Sequence, residues 1–251
     1  MAMSTGPETR QMSDSTRNAF SPMLELKGVT TDYGVIRALD IVDFKVSPNE
    51  IVALVGDNGA GKSTLIKITS GVVHPTRAEV YVDGQKVRIE TIYQDMNLIG
   101  CMSVMRNIFL GRELASSFGR LSMREMREKS MRLLEEEITI EGLKSPYQLV
   151  ENLSGEQKQA VVIAKAMFFK KRLLLLDEPP SALSVRETDA FLNHIQHLRA
   201  EGMSIVLVTH NIYHAFKVSD HFGLLSRGKK VLDADKHGTD LEELTRIVVK
   251  H

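Results

Sequence analysis

The sequence predicts an α/β fold built around a parallel sheet, and three observations carry that prediction. Residues 50–55 read Glu-Ile-Val-Ala-Leu-Val, an almost unbroken apolar run bounded by Pro48 and Gly56. A strand buried on both faces requires such a run. Two similar runs come late in the chain, 172–176 ending in Asp177-Glu178 and 204–209 ending in His210. Helical patterns lie between the runs, which is the sequence form of repeated strand–helix–strand units.

The remaining elements follow in chain order. Residues 1–22 are rich in Ser, Thr, Met and Gly and carry neither the helical nor the strand period, so an N-terminal arm is expected before a folded domain over 23–251. Runs at 24–29 and 41–46 read as strands, and 64–70 as a helix closed by Gly71. Residues 80–87 alternate at period two around Asp83-Gly84, and 222–232 do so around Arg227-Gly228; both are hairpin signals. The stretch 97–153 holds no comparable strand but carries charged amphipathic patterns such as 122–137, which mark an inserted helical module. Thr239 and Glu242 have the spacing of a capping box opening a last helix.

Composition bounds the function. The chain has 251 residues, 43% hydrophobic and 25% charged, which sets aside disordered, collagen-like and disulfide-stapled classes. Lys plus Arg and Asp plus Glu both number 32, so there is no bulk field to gather nucleic acid, and none is expected as a partner. Cys101 is the single cysteine; it cannot form an internal disulfide, fits a reducing compartment, and is expected to fill core. The longest purely apolar stretches, such as 173–176, fall far short of the roughly 20 residues of a membrane helix, and no secretory h-region follows Met1. A cytoplasmic location is the expectation.

Residues 56–64 read Gly-Asp-Asn-Gly-Ala-Gly-Lys-Ser-Thr, the G-x-x-x-x-G-K-[ST] pattern, directly after the buried strand and before a helix. Gly56, Asn58, Gly59 and Gly61 can turn successive main-chain N–H groups toward phosphate oxygens, and the helix N-terminus adds a favourable partial charge. Lys62 supplies a point charge for β and γ phosphates; Ser63 offers a hydroxyl to Mg²⁺, and Thr64 follows it into the helix. Asp177 and Glu178 place carboxylates at the carboxyl edge of the sheet, where open α/β folds bind ligands. Asp177 is the candidate for the Mg²⁺ shell and Glu178 for orienting or deprotonating an attacking water. The fold class is therefore that of a P-loop NTPase.

Between these motifs stands Leu153-Ser154-Gly155-Glu156-Gln157, which alone is an ordinary capping box. The order of phosphate loop, Gln94 after a strand, this pentapeptide opening a helix, Leu-Leu-Leu-Leu-Asp-Glu-Pro-Pro and His210 after a strand resembles ATP-binding-cassette (ABC) ATPases over nearly all of 23–250. The resemblance implies a RecA-like core with an antiparallel β subdomain over 23–96 and 158–251, and an α-helical subdomain with the signature motif over 97–157. It implies that Tyr33 stacks on adenine, that Gln94 touches Mg²⁺ and water and couples to a membrane partner, and that His210 contacts the γ-phosphate. ATP and Mg²⁺ are the implied cofactors. One phosphate loop and one signature per chain imply a head-to-tail pair with a second copy, in which Ser154, Gly155 and Gln157 face the partner's nucleotide.

Residues 92–99, 102–113 and 180–187 resemble the ATPase subunits of ribose- and fructose-type monosaccharide importers with one cassette per chain. That resemblance implies a peripheral ATPase on the cytoplasmic face of the membrane, coupled to a transmembrane sugar permease and indirectly to a sugar-binding protein. Met96, Met102, Met105, Ile108 and Phe109 are expected to form an adaptable apolar groove for a permease helix. Several positions depart from the family pattern. Glu156 stands where glycine is most frequent, and a carboxylate about 4 Å from a phosphate charge costs roughly 4 kcal/mol at an effective dielectric of 20. A first-turn acid gains only about 0.3–1 kcal/mol from the helix dipole, so Glu156 is expected to point away from phosphate. Pro180 replaces Thr, Ser184 replaces Asp, and 87–94 omits a short helical segment. A degenerate cassette that binds ATP without productive hydrolysis, and a soluble non-transport ABC ATPase, are the alternatives at this point.

Overall fold

The computed structural model describes residues 21–86, 98–115, 119–134, 143, 145–168, 172–177 and 185–251. The expected arm, apart from its last two residues, and the short connection at 87–94 lie outside them. Contacts divide the chain into two units: Met1–Gln94, Arg172–Pro179 and Arg199–His251 form one, and Asp95–Lys171 with Pro180–Leu198 the other.

The first unit holds two sheets. Strands β1 (Leu24–Tyr33), β2 (Ile36–Val46), β4 (Arg77–Val82) and β5 (Gln85–Lys86) form an antiparallel sheet in the order β2-β1-β4-β5. Strands β3 (Ile51–Val55), β6 (Leu173–Asp177), β7 (Ser204–Val208), β8 (His221–Ser226) and β9 (Lys229–Asp235) form the other in the order β6-β7-β3-β8-β9. Its first four strands run parallel and β9 antiparallel to β8. Helices α1 (Lys62–Thr69), α6 (Ile212–Val218) and α7 (Leu241–Lys250) belong to this unit.

The apolar run of β3 is explained by what its two faces meet. Val52 and Leu54 join a core with Leu24, Leu26, Val29 and Phe44 of the antiparallel sheet and with Leu65 and Ile68 of α1. Ala53 and Val55 face the other way, into a cluster with Phe222, Leu224, Ala215 of α6 and Leu244 of α7. Period-two alternation thus feeds two cores, and each fully buried large side chain contributes about 1.5–3 kcal/mol. Both hairpin signals hold: Asp83 and Gly84 have φ of 53° and 74°, and Arg227 and Gly228 have 48° and 77°. Positive φ at both central residues matches the right-handed twist of the flanking strands.

The last helix starts one residue later than its spacing predicts. Asp240, not Thr239, is the N-cap, and its carboxylate accepts from the Glu243 N–H at 2.7 Å. Thr239 instead ends the 3₁₀ turn Lys236–Gly238. A carboxylate at this position gains both a charge-assisted bond and the helix dipole, so it outcompetes the neighbouring hydroxyl.

The second unit holds α2 (Val104–Phe109), α3 (Met123–Arg132), α4 (Gly155–Phe168) and most of α5 (Val185–Ala200). Met105, Ile108 and Phe109 are fully buried, and Phe109 meets Phe168 edge to face at 4.6 Å. These three are core, not the walls of an open groove; their spacing places all of them on the inward face of α2. Met96 lies outside the described residues. Cys101 is exposed rather than core filler. Its loop is held from behind by Asn107, whose buried amide donates to the carbonyls of Ile99, Met102 and Ser103 and accepts from the Ile99 N–H at 2.7 Å. Among the described residues no helix is long and apolar enough to cross a membrane.

Candidate functional site

The loop between β3 and α1 is shaped by close main-chain approaches. Gly56 leaves the strand at φ 145°, and a Cβ there would stand 2.2 Å from the Leu225 carbonyl oxygen on β8. Gly61, at φ 106°, would bring a Cβ within 2.7 Å of Leu39 Cδ2 and 2.8 Å of the Ala38 oxygen on β2. Glycine is required at both positions for space as well as conformation. Inside the loop the Ala60 N–H donates to Asp57 O at 3.1 Å, and α1 begins with no acid in its first turn. The partial positive charge of that helix end is therefore not cancelled locally.

Lys62 is 5% exposed, and its Nζ donates to Gly56 O at 2.7 Å and Asp57 O at 3.0 Å. The side chain folds back across the loop, so its ammonium is fixed against the carbonyls of Gly56 and Asp57. An open cleft of about 330 Å³ is lined by Asn58, Gly59, Gly61, Lys62, Ser63 and Thr64 from the loop, Asp177 from β6, and Ala38 from β2. Register explains how Asp177 arrives there. Both it and Leu54 pair with Val208 of the intervening β7, so the carboxylate stands level with the strand end that feeds the loop. A lysine, a glycine-rich main chain, a serine and an aspartate around one cleft at a helix N-terminus suit a polyphosphate together with a hard divalent cation.

His210 follows β7 at the same sheet edge and is exposed, without lining the cleft. Its turn is held by the Asn211 N–H donating to Thr209 Oγ1 at 3.0 Å and by Asn211 Oδ1 capping α6. Tyr33 ends β1 opposite Ile36, 49% exposed, and also stands apart from the cleft lining. In the second unit, Ser154 N–H donates to Gln157 Oε1 at 3.0 Å and Gln157 N–H to Ser154 Oγ at 3.2 Å. This is the reciprocal capping box that the spacing predicts, and Gly155 opens α4 immediately after it. Gln94, Glu178, Pro180, Ser184 and the Glu156 side chain lie outside the described residues.

Ala38 was not legible as a cleft residue, because it is a small apolar residue near the start of β2. Behind Ala38, Asp40 meets Lys229 at 3.2 Å and Arg37 at 3.1 Å. The Lys229 hydrogen bond, reinforced by Arg37 and opposed by desolvation, holds the Asp40 carboxyl below its ordinary value. The Asp40–Lys229 pair ties β2 to β9.

A family model described as "ABC transporter" matches residues 39–181, more than half of the chain. The chain belongs to the ABC transporter family. Among ABC relatives, a xylose/arabinose import ATP-binding protein of Sulfolobus acidocaldarius is 40% identical over 240 residues, covering 91% of this chain and 94% of that one. A fructose import ATP-binding protein of Rhizobium meliloti is 36% identical, covering 85% and 88%. A ribose import ATP-binding protein of Caldanaerobacter subterraneus is 31% identical, and the match spans 48% of its length. Among solved structures, an ATP-binding cassette in a dimeric post-hydrolysis state bound to ADP and Pi has a TM-score of 0.72 at 26% identity, covering 86% of this chain and all of that one. A cassette in its ADP conformation has a TM-score of 0.73 at 20% identity and supports the P-loop fold.

Proposed function

We propose that this chain is the ATP-hydrolysing subunit of a monosaccharide importer, working on the cytoplasmic face of the membrane through a separate transmembrane permease. The observation that carries this reading is the convergence of Lys62, Ser63 and Asp177 on one cleft with the glycine-shaped loop. The import names of relatives similar over 85–91% of the chain supply the sugar class. A sugar-binding protein would deliver the solute to the permease.

The residues divide the chemistry among them. Main-chain N–H groups of 56–64 bind the α and β phosphates, and Lys62 exchanges its two carbonyl partners for β and γ oxygens. Tyr33 stacks on adenine. Ser63 and Asp177, with Gln94, are the oxygen donors that would hold Mg²⁺, whose charge would neutralise the phosphates. Glu178 orients a water in line with the γ-phosphorus and takes its proton as the O–P bond forms and the bond to the ADP oxygen breaks. His210 donates to the γ-phosphate. Ser154, Gly155 and Gln157, at the N-terminus of α4, complete the site of a second copy, so two antiparallel chains close two sites with two-fold symmetry. Residues 97–157 serve as the helical subdomain that presents this signature.

The test is Mg²⁺-dependent ATP hydrolysis by the purified chain, alone and with its permease in vesicles. Glu178→Gln should bind MgATP and pair without turnover; hydrolysis at the parent rate would remove Glu178 from the mechanism. Affinity capture from native membranes should return a multi-spanning permease, whose solute identifies the sugar.

A further inference from the structure

The phosphate-binding loop and the hairpin carrying Tyr33 come from different sheets, and one residue of the β8–β9 turn stands between them. Gly228 N–H donates to Ala60 O at 3.0 Å, inside the phosphate loop. Gly228 O accepts from Asp40 N–H at 2.8 Å, on β2. A Cβ on Gly228 would lie 2.8 Å from the Ala38 oxygen, 3.2 Å from the Ala38 carbonyl carbon and 3.4 Å from Leu39 Cα. Gly61 presses on the same Ala38 oxygen from the loop side, again at 2.8 Å for an added Cβ. The Ala38 peptide is therefore gripped between two glycines, one in the phosphate loop and one in the turn. Ala38 also lines the cleft, and it lies two residues along β2 from Ile36, the partner of Tyr33.

We infer that Gly228 is a positioning residue that sets the separation between the base-binding hairpin and the phosphate loop. The inference rests on the proposed reading of the cleft as an ATP site, with Tyr33 on the base side. The main-chain groups leave no room for a methyl: backbone atoms cannot swing aside as a side-chain tip can, so any Cβ displaces β2 from the loop. The added Cβ presses first on Ala38 and Leu39 of β2, whereas Gly228 meets the loop through the bond from its N–H to Ala60 O, so the larger displacement falls on the base side. A ligand gripped at both ends must then lose contact at one of them, whereas a ligand gripped only at the phosphates keeps its site.

This difference gives the experiment. MgATP and magnesium tripolyphosphate are titrated calorimetrically into the full chain, its Gly228→Ala and Gly228→Asn variants, and Gly202→Ala as control. Gly202 also has a positive φ, 94° against 77° at Gly228, but an added Cβ meets only Asn49 Oδ1 at 3.6 Å, so the control carries the backbone strain without the displacement. Asn tolerates positive φ and keeps a variant with the added Cβ available if Ala fails to fold. Relieving the 2.8 Å contact to an ordinary 3.4 Å moves β2 by about half an ångström, and losing the aromatic contact to the base should raise the Kd for ATP by about tenfold. Tripolyphosphate affinity should stay within about twofold of the parent, and Gly202→Ala should alter neither ligand. Equal weakening of both ligands by the Gly228 variants, or no weakening of ATP, overturns the inference. A parent chain that binds neither ligand refutes the nucleotide reading itself, a distinct result.

Discussion

Lys62→Met removes the ammonium of the phosphate loop while keeping most of the apolar stem, so it isolates the charge. That ammonium is bonded to Gly56 O at 2.7 Å and Asp57 O at 3.0 Å. A phosphate charge about 4 Å away attracts it by roughly 4 kcal/mol at an effective dielectric of 20. Two carbonyl bonds, each worth about 1 kcal/mol net, are surrendered in the exchange. The difference, about 2 kcal/mol, corresponds to roughly a thirtyfold rise in Kd for MgATP. The free variant should also lose about 1–3 kcal/mol of stability, because two carbonyl oxygens lose their donor. Calorimetric titration at fixed ionic strength measures the first effect and urea unfolding without nucleotide the second. The salt dependence of MgATP binding should be steeper for the parent than for the variant. Parent-like affinity in a folded Lys62→Met chain would refute the placement of the γ-phosphate end of the ligand beside this residue.

Ile41 has φ 52° and is 72% exposed, so a β-branched residue occupies a left-handed conformation with little burial in return. Ile41→Asn should stabilise the chain by about 1 kcal/mol and raise Tm by roughly 2–4 °C in a thermal melt; an unchanged or lowered Tm would contradict this. Ser154→Ala breaks the capping box at α4, and stability should fall by about 1 kcal/mol. ATP affinity of the single chain should remain as in the parent while nucleotide-driven pairing, read by light scattering, is lost. At Asp233, burial pushes the carboxyl upward, but bonds from His221 and from Lys230 at 2.6 Å outweigh it and hold the group well below the ordinary carboxylate value. A depressed folded value means stability that is present above the unfolded pKa and lost as pH falls toward the folded one. Asp233→Asn should therefore unfold at lower urea than the parent at neutral pH, and the gap should begin to narrow below about pH 4 and close only as pH falls toward the depressed folded value. A gap independent of pH would assign the effect to packing.

What the sequence revealed and what it hid differ by range along the chain. The loop at 56–64 was legible because its chemistry is local: nine consecutive residues hold the turn, the amides, the ammonium and the hydroxyl. Asp177 was legible because parallel strands end at one edge, and the register through Val208 put it level with Leu54. The cap at Asp240 was missed by one residue because Thr239 and Asp240 both satisfy the local rule, and only the path of the preceding 3₁₀ turn decides between them. Met105, Ile108 and Phe109 carry an apolar stripe whose partner no pattern names, and it proved to be the interior of their own unit. The junction of Ala38, Gly61 and Gly228 joins three distant segments through main-chain contact, so no side-chain pattern announces it. The phosphate loop can grip a triphosphate through local chemistry alone, which leaves the position of everything attached to that triphosphate to the surrounding strands. Substitutions in 56–64 should then act on any polyphosphate, and substitutions in the frame around Ala38 only on ligands that carry a base.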